Sequence, residues 1–380
     1  MNPNRKVGWS PMLCFVTRST GAISVAPIWL FFGLLALGCG DRHSNEPRVA
    51  LPAPADVLSN PYMTRDEIVG HVHKPNLSYP RTWEEHPAGE FVFSTNNLGF
   101  VNRDDTSPTK QPGVQRVLLT GDSHVEGVVS VGENVAARLE DLLAADGQAF
   151  EILNAGAAYY TPHHYAAVLD RFADLDPDWF VVVAYSGNDF IGALEAEQYL
   201  GRLQLPDRPD EYIATLKRGE KAAIRGWWHA GAIYQDLNQA FFFAHYPEYQ
   251  DVALTAFQQQ LGLIIEDCRS RGIRLVVAFL PTKLQVEYET DGEHLDKVLE
   301  TLGLTKADLE TTPLLTDRLV SWLKTQGVQV IDLVAAFDEA EDELFWRRDY
   351  HLGLQGHRLL AEQLAQALSG GDSQATGDLP

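Results

Sequence analysis

Five short, largely apolar runs separated by helical stretches predict an α/β fold, a doubly wound parallel sheet with helices on both faces. Three observations carry that reading. The runs fall at 116–120, 150–153, 179–185, 274–280 and 328–333, and the clearest of them, Trp179 through Tyr185, is unbroken by any polar residue. Such a run fits a strand covered on both faces better than one with a wet side. Between the runs, apolar residues recur at helical spacing, as with Val135, Leu139, Leu142 and Leu143. Strand and helix alternate, which favours parallel pairing through crossover helices. Five strands suit a flavodoxin-like order.

The chain begins with what reads as a targeting segment, residues 1–39. Arg5, Lys6 and Arg18 supply positive charge, no acidic residue precedes Asp41, and residues 22–37 are mostly apolar. This is the layout of a secretory signal peptide. Ala36-Leu37-Gly38-Cys39 resembles a bacterial lipoprotein processing box, in which Cys39 would be lipidated. An uncleaved membrane anchor and simple secretion fit the same stretch, since about 16–18 apolar residues come close to spanning a bilayer. All three place the rest of the chain outside the cytoplasm, in the cell envelope or beyond.

Of the three cysteines, Cys14, Cys39 and Cys268, processing at Cys39 would leave only Cys268 as a thiol. No intrachain disulfide is then possible. Cys268 lies in a partly apolar helical pattern and reads as a buried thiol. The net charge of −22 becomes −25 once three N-terminal cationic residues are removed. That surface disfavours nucleic acid and anionic membranes as partners.

Residues 40–60, rich in Pro, Ala and Asn, read as a linker. Residues 61–115 hold short β-like pieces such as Glu90-Phe91-Val92-Phe93-Ser94 and read as an N-terminal β-rich extension near the active edge. The main domain spans 116–369. Helices are expected at 133–146, 162–174, 250–271, through a charged region at 291–326, and at 355–369. The connection 190–250 is long and aromatic-rich, with Trp227, Trp228, Tyr234 and Phe241 to Phe243 among its rings. It reads first as a helical insertion with its own small core, a reading compatible with a lid or wall over the site. The tail 370–380 reads as disordered.

Each strand end carries a usable group: Ser123 after the first, Gly156 after the second, Asn188 after the third, and Asp349 with His351 after the fifth. Parallel strands present their carboxyl ends on one edge, so these distant residues converge there. Gly121 lets the backbone turn sharply before Ser123. Together the groups comprise a nucleophile, oxyanion donors, and a base with its orienting acid.

On these residues the chain resembles the SGNH hydrolase superfamily, which includes the GDSL esterases and lipases. Gly121-Asp122-Ser123, Asn154-Ala155-Gly156, Gly187-Asn188-Asp189 and Asp349-Tyr350-His351 resemble its four blocks, in order. Asn97-Leu98-Gly99-Phe100 is also usual in long extracytoplasmic members. Two positions depart from the family pattern. Arg348 stands where the best-known members carry the Asp, three residues before the His, so Asp349 must serve from two residues away; some polysaccharide O-acetylating members look like this variant. Ser186 stands where Gly is commoner.

The resemblance implies a serine esterase acting on acyl esters, acetyl among them, with cell-envelope carbohydrate as one carrier of the acyl group. Ser123 would attack, His351 act as base and Asp349 orient it. The Ser123 and Gly156 N–H groups and the Asn188 side chain would form the oxyanion hole. No cofactor is implied. An O-acyltransferase using the same triad and a non-catalytic envelope binding protein are the alternatives. Asp122 reads as a structural turn residue, His124 as pointing away from the nucleophile, His163 and His164 as a helix start, and His357 as packed in the last helix. A zinc site from Asp122, His124, Asp349 and His351 matches no usual ligand spacing, so no metal is expected.

Overall fold

The structure, a computed structural model, describes Leu51 and residues 60–370. The expected targeting segment with Cys39, most of the expected linker and the tail after Gly370 lie outside the described residues. Two antiparallel hairpins come first, β1 (Met63–Asp66) with β2 (Gly70–His73) and β3 (Ser78–Thr82) with β4 (Glu90–Ser94). The alternation then begins with β5 (Gln115–Gly121), the one-turn helix α1 (Ser123–Glu126), α2 (Val135–Ala145), β6 (Phe150–Asn154), α3 (Pro162–Phe172) and β7 (Trp179–Tyr185). The long connection folds as α4 (Asp189–Tyr199), α5 (Asp210–Arg225), a π-helical turn (Ile233–Leu237) and α6 (Asn238–His245). After it come α7 (Tyr249–Arg271), β8 (Arg274–Leu280), α8 (Lys283–Val286), α9 (Tyr288–Leu302), α10 (Lys306–Leu309) and α11 (Thr311–Thr325). The chain closes with β9 (Gln329–Asp332), α12 (Val334–Asp338) and α13 (Leu354–Ser369).

The last five strands form one parallel sheet in the order β6-β5-β7-β8-β9. This is the doubly wound, flavodoxin-like arrangement. The chain leaves β5 to one side for β6 and returns on the other for β7, so the crevice beyond β5 is the switch point where such folds place ligands. Both faces of each central strand are covered, which is why their sequences do not alternate. Leu118, Phe180, Val182 and Val277 pack on one side, under α3, α4, α7 and α11. Val117, Leu119, Val181, Val183 and Ala278 pack on the other, under α2 and α13. Each of these Val, Leu and Phe side chains contributes about 1.5–3 kcal/mol of burial.

Local signals explain the helix ends. Asn134 caps α2 by accepting from the Ala137 N–H at 2.9 Å. Thr161 and His164 form a capping box at α3, with Pro162 in its first turn. The charged stretch expected as one helical region divides into three helices. Gly303, at φ +70°, closes α9, and the Thr305–Asp308 box starts α10. The expected 162–174 helix stops at Phe172 and continues as a short 3-10 turn, Ala173–Leu175.

The aromatic connection does not keep the separate small core expected of it: its cluster is shared with the later helix α9, and Phe242 and Phe243 join the main core. Tyr212, Leu216, Trp228, Ile233, Leu237 and Phe241 pack against Leu295, Val298, Leu299 and Leu302 of α9. Among the described residues no helix is long and apolar enough to cross a membrane. Cys268 is buried in α7, and burial pushes its thiol up to about 12.

Candidate active site

Ser123 is the first residue of α1, immediately beyond β5. Asp122 caps that helix by accepting from the His124 N–H at 2.9 Å, which is the structural role expected of it. The Ser123 N–H, at the first position of its helix, has no acceptor within that helix. Gly121 permits the tight turn for a steric reason. A Cβ there would lie 2.3 Å from Val125 Cγ2 and 2.7 Å from the Val183 carbonyl.

The chain brings His351 to this turn across 228 residues. Its Nε2 lies 2.8 Å from Ser123 Oγ, and its Nδ1 is hydrogen-bonded to Asp349 Oδ2. The loop that carries the pair is not extended. Tyr350 between them sits at φ +72°, a left-handed conformation uncommon for a large side chain. Its ring is fully buried, 4.8 Å from Trp228 and 4.6 Å from the Lys283 ammonium, centroid to centroid and nitrogen to centroid. The Tyr350 N–H donates to the Trp346 carbonyl and the Trp346 N–H to the His351 carbonyl, at 3.0 and 2.8 Å, so the loop closes on itself. That closure turns Asp349 and His351 together despite the shortened spacing.

Electrostatics separate the histidines. Burial pulls the His351 imidazole down, but the Asp349 carboxylate outweighs it and leaves the group above its ordinary value. Burial also opposes the charge of Asp349, yet His351 and His229 hold the carboxyl below the usual range. Burial and the neighbouring His351 hold His124 well below its ordinary value, which favours the neutral ring. Burial takes Asp122 up to about 6, where the His124 N–H, His351 and the Asn188 side chain favour its charged form.

Asn188 occupies the N-cap position of α4 but makes no side-chain cap bond there, so it is not the simple Asx-turn its position allows. Its side chain lies close enough to Asp122, beside Ser123, to favour that carboxyl's charged form. Gly156 stands where a Cβ would lie 2.7 Å from Val125 Cγ1 and 3.0 Å from the Glu126 nitrogen, so only glycine lets β6 end this close to α1. Its N–H, expected among the oxyanion donors, already donates to Asn154 Oδ1 at 3.0 Å. Asn154 in turn donates to the Val125 carbonyl at 2.9 Å and ties β6 to the nucleophile helix.

Two nearby side chains escaped the sequence reading, and a third was misread. His229 Nδ1 lies 3.5 Å from the second Asp349 oxygen, so the carboxylate sits between two imidazoles. Gln235 Nε2 lies 3.2 Å from His351 Nε2. His124 does not point away: its Nε2 is 3.2 Å from Gln235 Oε1, and its ring lies 5.0 Å from that of His351. Neighbours on a helix differ by about 100° in direction, which turns His124 toward the insertion rather than to solvent.

The N-terminal hairpins also reach the site. His73 of β2 bonds Glu126 of α1 at 2.9 Å, and the Arg348 N–H donates to Glu85 at 2.9 Å. His163 lies in the first turn of α3, as expected, and there bonds Glu197 at 2.6 Å; His357 is fully buried in α13, also as expected. The open groove between α7 and α11, lined by Asp251, Thr255 and Arg318, contains none of the site residues. An Arg318–Asp251 ion pair at 2.8 Å lies within it, and it reads as the seam between two helices.

Residues 119–359 match the family described as GDSL-like Lipase/Acylhydrolase. No curated protein matches the chain. Among solved structures it is similar to TesA, at 13% identity and TM-score 0.38, over 67% of this chain and 98% of that one. It is also similar to the psychrotrophic esterase EstA from Pseudoalteromonas sp., at 9% identity and TM-score 0.37, over 68% and 100% of the two chains. A third is Axe2, an acetylxylan esterase from Geobacillus stearothermophilus, at 11% identity and TM-score 0.36, over 66% and 93%.

Proposed function

Because the chain belongs to the GDSL-like lipase/acylhydrolase family and is therefore an ester-bond hydrolase, we propose that it cleaves acyl esters through Ser123, His351 and Asp349. The observation that carries this reading is the 2.8 Å contact between Ser123 Oγ and His351 Nε2, with His351 Nδ1 bonded to Asp349. A serine hydroxyl needs such a base to become nucleophilic. Ser123 Oγ attacks the carbonyl carbon while its proton passes to His351 Nε2. The tetrahedral intermediate collapses, the C–O bond to the alcohol breaks, and His351 returns the proton to the departing oxygen. Water then repeats the sequence on the acyl-enzyme and releases the acid. Asp349 keeps the Nδ1–H tautomer in place and stabilises the imidazolium.

The Ser123 N–H and the Asn188 amide are the donors for the developing oxyanion. The Gly156 N–H joins them only by sharing itself with Asn154. Small acyl groups such as acetyl are the first substrates to test, on simple alcohols and on envelope carbohydrate. Lipidation at Cys39 would hold the domain in the envelope. Metabolic labelling with a fatty acid, lost in Cys39→Ser, tests that part alone.

A fluorophosphonate probe tests the chemistry. The folded wild type should be labelled, and Ser123→Ala and His351→Ala should not, with unchanged circular dichroism. A folded wild type that resists the probe and hydrolyses no ester would instead point to a binding role. Acetate release with and without a sugar acceptor divides hydrolysis from transfer.

A further inference from the structure

We propose that Gln235 is a positioning residue for His351, and that His124 fixes which way its amide points. This rests on reading His351 as the base. The argument is one of hydrogen-bond polarity. The Leu352 N–H can only donate, and its acceptor is His124 Nδ1 at 3.2 Å. A nitrogen that accepts carries no proton, so a neutral His124 carries its proton on Nε2. That Nε2–H points at Gln235 Oε1, 3.2 Å away. With its oxygen so engaged, the Gln235 amide presents its NH₂ to His351 Nε2, also at 3.2 Å. The relay therefore runs one way, from a backbone amide through His124 and Gln235 to the nitrogen that takes the Ser123 proton.

The surroundings hold Gln235 in place. It lies in the π-helical turn Ile233–Leu237, and π turns shift side chains out of helical phase, frequently at functional sites. Asp236 beside it accepts from Tyr185 Oη and from the Leu284 N–H. Gln239, just after the turn, donates to the Ser186 carbonyl at 2.8 Å and accepts from the Ile191 N–H at 3.1 Å. A Cβ on Gly187 would lie 2.3 Å from the Gln235 carbonyl, so the turn rests directly on the Gly-Asn-Asp block. His124 is stacked on Tyr185, with ring centroids 3.9 Å apart. These contacts hold the Gln235 backbone and the His124 ring in place.

A donor aimed at a lone pair stabilises the neutral imidazole. Gln235 thus opposes Asp349, Asp122 and Glu126, the carboxylates whose fields favour the imidazolium. His229 acts on the same balance through Asp349, while His357 and His124 add neutral rings on the remaining sides. When His351 takes the serine proton, its Nε2–H and the Gln235 NH₂ repel. The imidazolium is then driven to hand its proton on to the leaving oxygen.

The test is the pH profile of kcat/KM on an activated acetyl ester, supported by NMR titration of His351 in a Ser123→Ala background, where no turnover interferes. Gln235→Ala should move the acid limb and the NMR midpoint up by about half a unit to one unit, the equivalent of one hydrogen bond. His124→Phe keeps the stacked ring but frees the amide to rotate, and should move them the same way. The double variant should shift by less than the sum of the two single shifts, because His124 acts on His351 in part through Gln235. Gln235→Glu should give the largest upward shift. An unmoved midpoint in Gln235→Ala, or fully additive shifts in the double variant, overturns the proposal. The NMR arm keeps this outcome separate from failure of the esterase reading, which would show as an unlabelled, inactive wild type.

Discussion

The carboxyl rim of the sheet and the aromatic insertion both reach Ser123, but by different physical means. At the rim, β5, β6 and β7 are buried on both faces, and the turns that follow them have little freedom. Gly121 and Gly156 stand where no Cβ fits. The insertion spans three helices and a π turn, and it delivers His229 and Gln235 through contacts with the loop that holds Asp349 and His351. The rim therefore sets which atoms are present. The insertion sets how basic and how well oriented one of them is. If this division holds, damage to the rim should abolish turnover, whereas damage to the insertion should shift its pH dependence.

Ser123→Ala is the severest change. It removes the nucleophile and should lower kcat by on the order of 10⁴–10⁶-fold, measured on an acetyl ester with the fold checked by circular dichroism. Asp349→Asn leaves the shape intact but disturbs the tautomer, and a loss of about 10³–10⁴-fold is expected. If that loss were under tenfold, the two-residue spacing would not support a working triad and another acid would have to be sought. Asn188→Ala removes one oxyanion donor for about 10²–10³-fold in kcat, with KM little changed.

A weaker effect concerns pH. The base works only when neutral, and His351 is held above its ordinary 6.5. The kcat/KM profile should therefore rise through a midpoint above pH 6.5, and a midpoint near 5 would contradict the environment described. Leu364→Ala, in α13 against the sheet, lies outside both regions. It should cost about 2–5 kcal/mol of stability while leaving kcat of the folded protein unchanged, as read from thermal melts and kinetics at low temperature.

Much of the sheet could be read in advance. The strand 179–185 coincides with its apolar run because burial on both faces leaves no polar position to blur the ends, and 274–280 coincides although it opens on an exposed Arg274. The first three blocks were visible because each combines a small residue with a polar one at a strand end; the fourth, Asp349-Tyr350-His351, lies in the loop well after β9 and was visible only as an acid near a His. Contacts made by folding back were not visible. Gln235 sits in a helix whose regular period is broken by the π turn, so no repeat in the sequence points it at His351. His229 reaches Asp349 only because its N–H is held by the Arg348 carbonyl at 2.7 Å. The engaged Gly156 N–H likewise follows from an Asn154 side chain that turns back toward its own strand end. Motif spacing cannot show whether a backbone donor is already occupied.

Cys268 gives the buried side of α7 a practical use. In a chain that starts after Cys39 it is the sole thiol. Sealed in the interior and reluctant to ionise, it should ignore alkylating reagents until α7 comes away from the sheet. The rate at which this one sulfur becomes reactive is then a built-in clock for opening of the domain, and requires no engineered label.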